Sequence, residues 1–363
     1  MRRMKSYLAT LLLLLLAACA LPASGQPLQR ITVDGGQLKR GWQSFEVRGV
    51  DYVRVSGADE RQCWTFQFGA DPRCPWDTRP ILADLDAFQR LGVNTIRIFL
   101  NYYVFGGQQK VDQHYDSAAA LAHLDAFIDA ANARGMYVLP VLLIDYPQDR
   151  FGPEHWEKAL DLHVRPLVRH LAARDGIIAW DLFNEPDIGS PIDKRCWDWD
   201  NADFAGCLPL AEERLRFLKM LAAEVRGLDP GKPLTVAMAF AKSHTEPAEA
   251  TLHIADMVDI FTFHYYDNEP YDSGRYAQHW YYGKGFPADL QRALRELNAL
   301  RRNKPIIVTE IGFPTGDGTT RTLADLRRDL RVARRIIGDE SADGMLLWSF
   351  QKTPDELVSD VFR

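Results

Sequence analysis

The sequence predicts an α/β protein of the (β/α)8 TIM-barrel class, and three observations support this prediction. Eight short apolar segments alternate with amphipathic helical segments between residues 48 and 350, and such alternation is typical of βαβ units around a parallel sheet. The first apolar segment is followed by a long loop rich in aromatic residues and cysteine, whereas an open doubly wound sheet would place a glycine-rich turn there. The 363 residues also suit one barrel in a single domain.

The predicted barrel strands are apolar runs at 48–52, 94–100, 137–144, 177–184, 234–239, 260–265, 305–310 and 345–350. The predicted helices lie between them, at 79–91, 117–134, 153–173, 209–227, 246–255, 286–302 and 321–337. Gly92 and Gly135 directly follow the last apolar turn of their helices, where glycine commonly ends a helix. A short closing helix is predicted after Thr353, which begins a capping box. Residues 31–47 are predicted to form a hairpin that closes the bottom of the barrel.

The N-terminus has the features of a targeting segment. Residues 1–18 combine basic residues with an apolar stretch at 7–18 that is too short for an ordinary membrane span. The stretch ends in Leu-Ala-Ala-Cys, which resembles a bacterial lipobox with Cys19 as the lipidated residue, and residues 19–30 then form a flexible tether. We therefore expect an exported protein, lipid-anchored in the bacterial cell envelope, with residues 31–363 as the barrel. The alternative is a secreted protein whose signal is cut after Ala20.

The net charge limits the kinds of molecule that the protein is expected to bind. The whole chain has a net charge of −6, and the basic N-terminal segment leaves the remainder more acidic still. An acidic body without a basic stripe argues against nucleic acid as a partner. We expect a monomer that contacts the membrane only through its lipid anchor.

Four further cysteines fit the oxidising environment of an exported protein. Cys63 and Cys74 are 11 residues apart, as are Cys196 and Cys207. Four cysteines allow three pairings, and we expect these two local disulfides. A metal site is disfavoured because the spacing matches no C-x-x-C pattern, and we predict neither a metal nor a cofactor.

Polar residues at the ends of the predicted strands indicate the chemistry, because catalytic groups of such barrels lie at the C-terminal ends of strands. The fourth strand leads into Asn184 and Glu185, and the seventh ends at Glu310. The sixth strand carries His264 and is followed closely by Tyr266. Cleavage of a glycosidic bond needs two carboxylates that face one site, one to donate a proton and one to attack or to activate water.

The segment Asn184-Glu185-Pro186, together with the strand-seven Glu310, resembles the cellulase-like families of glycoside hydrolase clan A, most closely family 5. The resemblance covers essentially the whole mature chain. It implies a retaining enzyme with Glu185 as acid/base and Glu310 as nucleophile, whose carboxyl groups should lie about 5–5.5 Å apart.

The same resemblance implies that five other residues bind the substrate or support the catalytic pair. Arg97 is similar to the strand-two arginine that supports the nucleophile, and Asn184 to the asparagine that holds the sugar 2-hydroxyl. His264 and Tyr266 resemble a strand-six His-x-Tyr pair, and Trp348 the tryptophan under the sugar in the −1 site. One departure is the end of the third strand, where residues 142–147 contain no histidine although many family 5 members have one.

These residues lead to the expectation of a retaining β-glycosidase that acts on a β-linked polysaccharide or oligosaccharide of the glucan or mannan type. One alternative is a catalytically silent glycan-binding lipoprotein, against which the intact pair of glutamates argues. A second alternative is a transglycosylase that remodels surface polysaccharide, which acceptor kinetics would distinguish from a hydrolase.

Overall fold

The structure is a computed structural model, and it describes residues 27–54, 67–72, 74–105, 117–147, 149–187, 204–245, 254–267, 282–300, 303–315, 320–349 and 355–363. The predicted signal peptide (residues 1–18), Cys19 and most of the predicted tether lie outside these ranges. No helix within the described ranges is long and apolar enough to cross a membrane.

The described chain begins with a small antiparallel sheet of three strands, β1 (Ile31–Asp34), β2 (Gln37–Arg40) and β3 (Gln43–Ser44). Its buried side chains Ile31 and Leu38, with Phe45, join one apolar cluster with residues from the N-terminal ends of the barrel strands. The Phe45 ring packs edge-on against Tyr137 at 5.1 Å between centroids. The predicted hairpin therefore closes the bottom of the barrel as expected, with a third short strand added.

Eight parallel strands close into a barrel, which confirms the predicted fold class. They are β4 (Val47–Asp51), β5 (Thr95–Asn101), β6 (Tyr137–Ile144), β7 (Trp180–Asn184), β8 (Leu234–Met238), β9 (Phe261–Tyr266), β10 (Ile306–Gly312) and β11 (Gly344–Leu347). Each strand pairs with its neighbour in the chain, and β11 pairs with β4 to complete the circle. The fourth barrel strand begins at Trp180 rather than at the predicted residue 177, because Ile177 makes only an isolated bridge to Val138.

The helices pack around the barrel, and their buried faces form most of the main core. They are α1 (Thr78–Leu91), α2 (Ser117–Asn132), α3 (Trp156–Ala159), α4 (Arg165–Leu171), α5 (Phe204–Leu228), α6 (Lys242–Thr245), α7 (Ala288–Leu300), α8 (Leu323–Asp339) and α9 (Asp355–Phe362). The last is the predicted closing helix. The helix predicted at 246–255 falls mostly outside the described residues, and the short α6 directly precedes that segment.

The helical segment predicted at 153–173 is divided into four parts. A 3-10 turn (Pro153–His155) precedes α3, and a π-helical turn (Leu160–Val164) separates α3 from α4. Pro166, at the start of α4, has no N–H to continue an α-helical ladder. The π turn includes the buried His163, whose Nε2 donates to the carbonyl oxygen of Leu142 on β6 at 2.6 Å.

Candidate active site

The residues that the sequence singled out meet at the C-terminal ends of the barrel strands. Arg97 lies on β5, Glu185 directly after β7, Glu310 on β10 and Trp348 directly after β11. Asn184 ends β7, and β9 carries both His264 and Tyr266. The last two are two positions apart on one strand, so their side chains share a face.

The carboxylate of Glu310 is held at both of its oxygens. Arg97 Nη1 donates to Glu310 Oε1 at 2.6 Å, and the Tyr266 hydroxyl donates to Oε2. His264 Nε2 lies 3.5 Å from Oε1. The register between β9 and β10 shifts between Val308 and Glu310, an irregularity of the kind that redirects side chains near active sites.

Glu185 has a strained backbone conformation, and its carboxyl group lies close to that of Glu310. Its φ is +50°, a left-handed conformation that is costly for a residue with a Cβ and is found at functional sites. Its backbone N–H donates to the carbonyl oxygen of Ala237 on β8 at 2.7 Å. Burial raises the pKa of Glu185 to about 7, although the positive charge of Arg97 acts in the opposite direction. A carboxyl group with this pKa can hold a proton near neutral pH and donate it.

His264 lies between the two glutamates. Its Nδ1 is 2.7 Å from Glu185 Oε1, and its Nε2 faces Glu310. Burial lowers the pKa of His264 to about 4, so the ring is neutral near pH 7. A neutral imidazole has one donor and one acceptor nitrogen, so it can exchange a hydrogen bond with Glu185 without adding a positive charge.

Arg97 connects Glu310 to the barrel wall. Besides Glu310, its guanidinium donates to Asp51 on β4 at 3.0 Å, to Asp181 on β7 at 3.1 Å and to the Asn184 side-chain oxygen at 2.8 Å. Burial alone would lower the Arg97 pKa, but the carboxylates around it outweigh burial and raise it. Arg97 therefore stays charged and fixes the position of Glu310.

Asp51 and Asp181 did not stand out in the sequence, although both contact Arg97. Both are fully buried, and burial raises the pKa of each, while Arg97 acts in the opposite direction. Asp181 also accepts the backbone N–H of Ala237 at 2.9 Å. The available signal was an acidic residue inside a predicted strand, at the last position of β4 for Asp51 and at the second position of β7 for Asp181.

Two aromatic side chains, Phe99 of β5 and Trp348 directly after β11, pack against each other. Trp348 is partly exposed and contacts the edge of Phe99, with ring centroids 5.9 Å apart and an interplanar angle of 77°. The Arg97 guanidinium carbon lies 5.0 Å from the centre of the same Phe99 ring. Val53, Val141 and Ile144 complete this apolar cluster around Phe99 and Trp348.

Asp187 fixes the turn that follows Glu185, and it too did not stand out in the sequence. Its buried carboxylate accepts the backbone N–H groups of Ala239 and Phe240 and the Ser243 hydroxyl. These bonds connect the turn after β7 to the segment after β8, and Arg214 of α5 supports the turn by donating to the Pro186 carbonyl oxygen at 2.9 Å. Burial raises the pKa of Asp187 to about 6.

Within the described part of the chain, one set of three potential metal-binding side chains is Glu185, His264 and Glu310, with one ligand atom of each within 4.8 Å of the others. The Arg97 cation already contacts Glu310 Oε1, and a metal ion there would meet that positive charge directly. The arrangement therefore fits a pair of carboxyl groups better than a metal centre.

The predicted disulfides lie largely outside the described residues. Cys74 is disulfide-bonded, but its expected partner Cys63 is outside the described ranges, as is Cys196. Cys207 lies on α5, in the first turns whose side chains are not described. Both pairings stay predictions.

The chain matches one family of known proteins over most of its length. The family model of the cellulases (glycosyl hydrolase family 5) matches residues 59–353. Among solved structures, the chain is similar to the β-mannanase from the blue mussel Mytilus edulis, with a TM-score of 0.59 and 16% identity over 92% of this chain and 96% of that chain. It is also similar to the endo-1,4-β-mannanase from Eisenia fetida, with a TM-score of 0.64 and 15% identity over 92% and 94%.

A third similar structure is an exo-β-1,4-mannosidase from an Opitutaceae bacterium, with a TM-score of 0.60 and 19% identity over 88% of this chain and 55% of that chain. No curated protein matches the chain. At these identities the solved structures show the shared fold alone. The family match is the stronger finding, and it spans residues 142–147, where the expected histidine is missing. The chain therefore belongs to the cellulase family, glycosyl hydrolase family 5, and is a glycoside hydrolase.

Proposed function

We propose that the protein is a retaining β-glycosidase with Glu185 as acid/base and Glu310 as nucleophile. The observation that carries this proposal is the spacing of the two groups. One carboxyl oxygen of Glu185 and one carboxyl oxygen of Glu310 lie within 4.8 Å of each other. Retaining glycosidases have carboxyl groups about 5–5.5 Å apart, whereas inverting enzymes need about 6.5–9.5 Å to place a water between carboxylate and sugar. The spacing in this protein supports retention.

The proposed reaction has two steps. Glu310 Oε attacks the anomeric carbon while Glu185 gives its proton to the departing glycosidic oxygen, and a glycosyl ester with Glu310 results. In the second step the deprotonated Glu185 removes a proton from water, and the oxygen of that water displaces Glu310 from the anomeric carbon. Glu185 ends protonated again, and two opposite displacements give net retention of configuration.

The surrounding residues support these steps in distinct ways. Arg97 and Tyr266 orient the Glu310 carboxylate. His264 contacts the Glu185 carboxyl group and keeps it directed toward Glu310. Asn184 is proposed to bind the sugar 2-hydroxyl, since Arg97 fixes the orientation of its side-chain amide. Trp348 is proposed to lie under the sugar, because the apolar C–H face of a sugar packs well on an aromatic ring.

We further propose a β-1,4-linked mannan as the substrate, ahead of a β-glucan. The support is that the similar solved structures cited above are mannanases and a mannosidase. We expect the purified protein to release oligosaccharides from β-mannan faster than from a soluble β-glucan or xylan. The test is a screen of these polysaccharides with analysis of product size, and Glu310→Gln serves as the inactive control.

Each outcome of this screen has a defined meaning. Proton NMR of the first product should show the β-anomer before mutarotation, and the α-anomer would contradict retention. Preferential attack on glucan would replace the mannan proposal and leave the glycosidase intact. Binding of glycan without cleavage would favour the silent glycan-binding alternative, and a product longer than its donor would favour the transglycosylase.

We also propose that the protein is exported and anchored to the bacterial envelope by a lipid on Cys19, as the lipobox-like segment before it supports. Expressed in a bacterial host, the full chain should fractionate with membranes, and Cys19→Ala should move it away from the membrane fraction. Wild-type protein found only in the soluble fraction would favour the secreted alternative.

A further inference from the structure

Gly312 lies beside the tyrosine that contacts the proposed nucleophile. It is the last residue of β10, two positions after Glu310, and it pairs directly with Tyr266 of β9. A Cβ atom added at Gly312 would lie 2.3 Å from Tyr266 Cε1 and 2.4 Å from Cδ1. The Tyr266 ring therefore lies across the backbone of β10 at Gly312, in the space that any other side chain would occupy.

The backbone conformation gives no reason for glycine at this position. Gly312 is the last residue of β10 and is not among the residues with positive φ. Glycine weakens the interior of a strand, and it commonly marks a place where another group approaches the backbone closely. Here the approaching group is the Tyr266 ring.

Tyr266 needs this space to reach Glu310. Its backbone is fixed by the ladder between β9 and β10, and the next residue, Asp267, donates its N–H to the Gly312 carbonyl oxygen at 3.3 Å. With the backbone fixed, only rotation of the side chain can relieve a clash with a new Cβ. Such a rotation moves the hydroxyl away from Glu310 Oε2, because the ring is rigid.

We propose that Gly312 is a positioning residue: the absence of a side chain lets the Tyr266 ring lie against β10, so that its hydroxyl holds Glu310 ready for attack. The inference rests on the proposed function, in which Glu310 is the nucleophile. It adds a residue that touches neither the sugar nor the reacting atoms and acts only through Tyr266.

A double-mutant cycle on activity tests the proposal. Gly312→Ala should lower kcat/KM by about 10²-fold, the cost of a small misplacement of a catalytic group. Tyr266→Phe should lower it by a similar factor, because the same hydrogen bond is lost. The double variant should then be within about threefold of either single variant, since interacting residues do not have additive effects. A multiplied loss of about 10⁴-fold in the double variant would overturn the proposal.

Two other glycines provide matched controls. At Gly49 a new Cβ would lie 2.5 Å from Leu346 Cγ and 2.9 Å from the Thr95 carbonyl oxygen, near the bottom of the barrel. Gly49→Ala should therefore lower the Tm without changing kcat/KM of the folded fraction. At Gly338 on α8 a Cβ would meet nothing within 4 Å, so Gly338→Ala should leave activity unchanged and should not lower the Tm.

A thermal cycle tests the contact without any need for activity. Gly312→Ala should lower the Tm of the wild type, but it should have little effect in a Tyr266→Ala background, where the ring is gone. Equal losses in both backgrounds would overturn the proposed contact. If the wild type cleaves no glycan, the proposed function fails, and this thermal cycle still decides whether Gly312 makes room for Tyr266.

Discussion

Replacing Glu310 with alanine is expected to abolish turnover of every glycoside, both natural glycans and activated aryl glycosides. The nucleophile forms the covalent bond to the sugar, and a better leaving group cannot substitute for that bond. The expected loss in kcat is on the order of 10⁶-fold, as for removal of a catalytic nucleophile in other enzymes. Initial rates on β-mannan and on a dinitrophenyl glycoside measure it.

Azide should partly rescue the Glu310→Ala variant and reveal the stereochemistry. The truncated side chain leaves space beneath the anomeric carbon, where a small anion can attack directly. A single displacement inverts the anomeric configuration, so a β-glycoside should give the α-glycosyl azide. Glu224→Ala on α5 is a matched control, because that glutamate pairs with Arg165 on the outside of the barrel. Wild-type activity in Glu310→Ala, or a β-glycosyl azide as its product, would contradict the nucleophile assignment.

The barrel could be predicted because each βα unit carries its own local signal. Strands such as 137–144 are continuous apolar runs, and parallel strands buried on both faces have this composition. The polar residues that interrupt these runs at their C-terminal ends, Glu185 and Glu310 above all, then fall at one end of the barrel by topology alone. Two residues 125 positions apart in the sequence could be assigned to one site for this reason.

The network beneath Glu185 and Glu310 could not be predicted in the same way. Asp51 pairs with Arg97 across the neighbouring strands β4 and β5. Asp181 lies two strands further on, on β7, and only the closed barrel brings it and Glu310 of β10 to the same guanidinium. The role of Gly312 depends on the register between β9 and β10, which shifts at a bulge. Register and bulges depend on packing across strands, so none of these three residues stood out before the structure.

Replacing Glu185 with alanine is expected to give a loss that depends on the leaving group. General acid catalysis contributes about 10²–10⁴-fold, and we expect a loss of this order on β-mannan, whose departing sugar hydroxyl needs a proton. A dinitrophenolate leaves without one, so formation of the glycosyl-enzyme should stay fast on a dinitrophenyl glycoside. The measurement is the pre-steady-state burst of dinitrophenolate, followed by a slow steady-state rate because the variant lacks the base for the second step.

The pH dependence of the wild type should follow from the same residue. Burial raises the pKa of Glu185 to about 7, and the first step needs the protonated form. The kcat/KM on β-mannan should therefore fall as the pH rises through about 7, since this parameter reports the pKa of the free enzyme. On the dinitrophenyl glycoside this fall should be absent, and the same fall on both substrates would assign it to another group.

Azide should also test the role of Glu185, and the stereochemical result should be the opposite of that for Glu310→Ala. In Glu185→Ala the nucleophile is intact, so the glycosyl-enzyme forms and azide attacks it from the other face in a second displacement. Azide needs no general base, so it should raise the steady-state rate and give a β-glycosyl azide from a β-glycoside. An α-glycosyl azide from this variant, together with a β-glycosyl azide from Glu310→Ala, would mean that the two roles are reversed. Full activity of both variants on β-mannan would place the chemistry at other residues of the barrel.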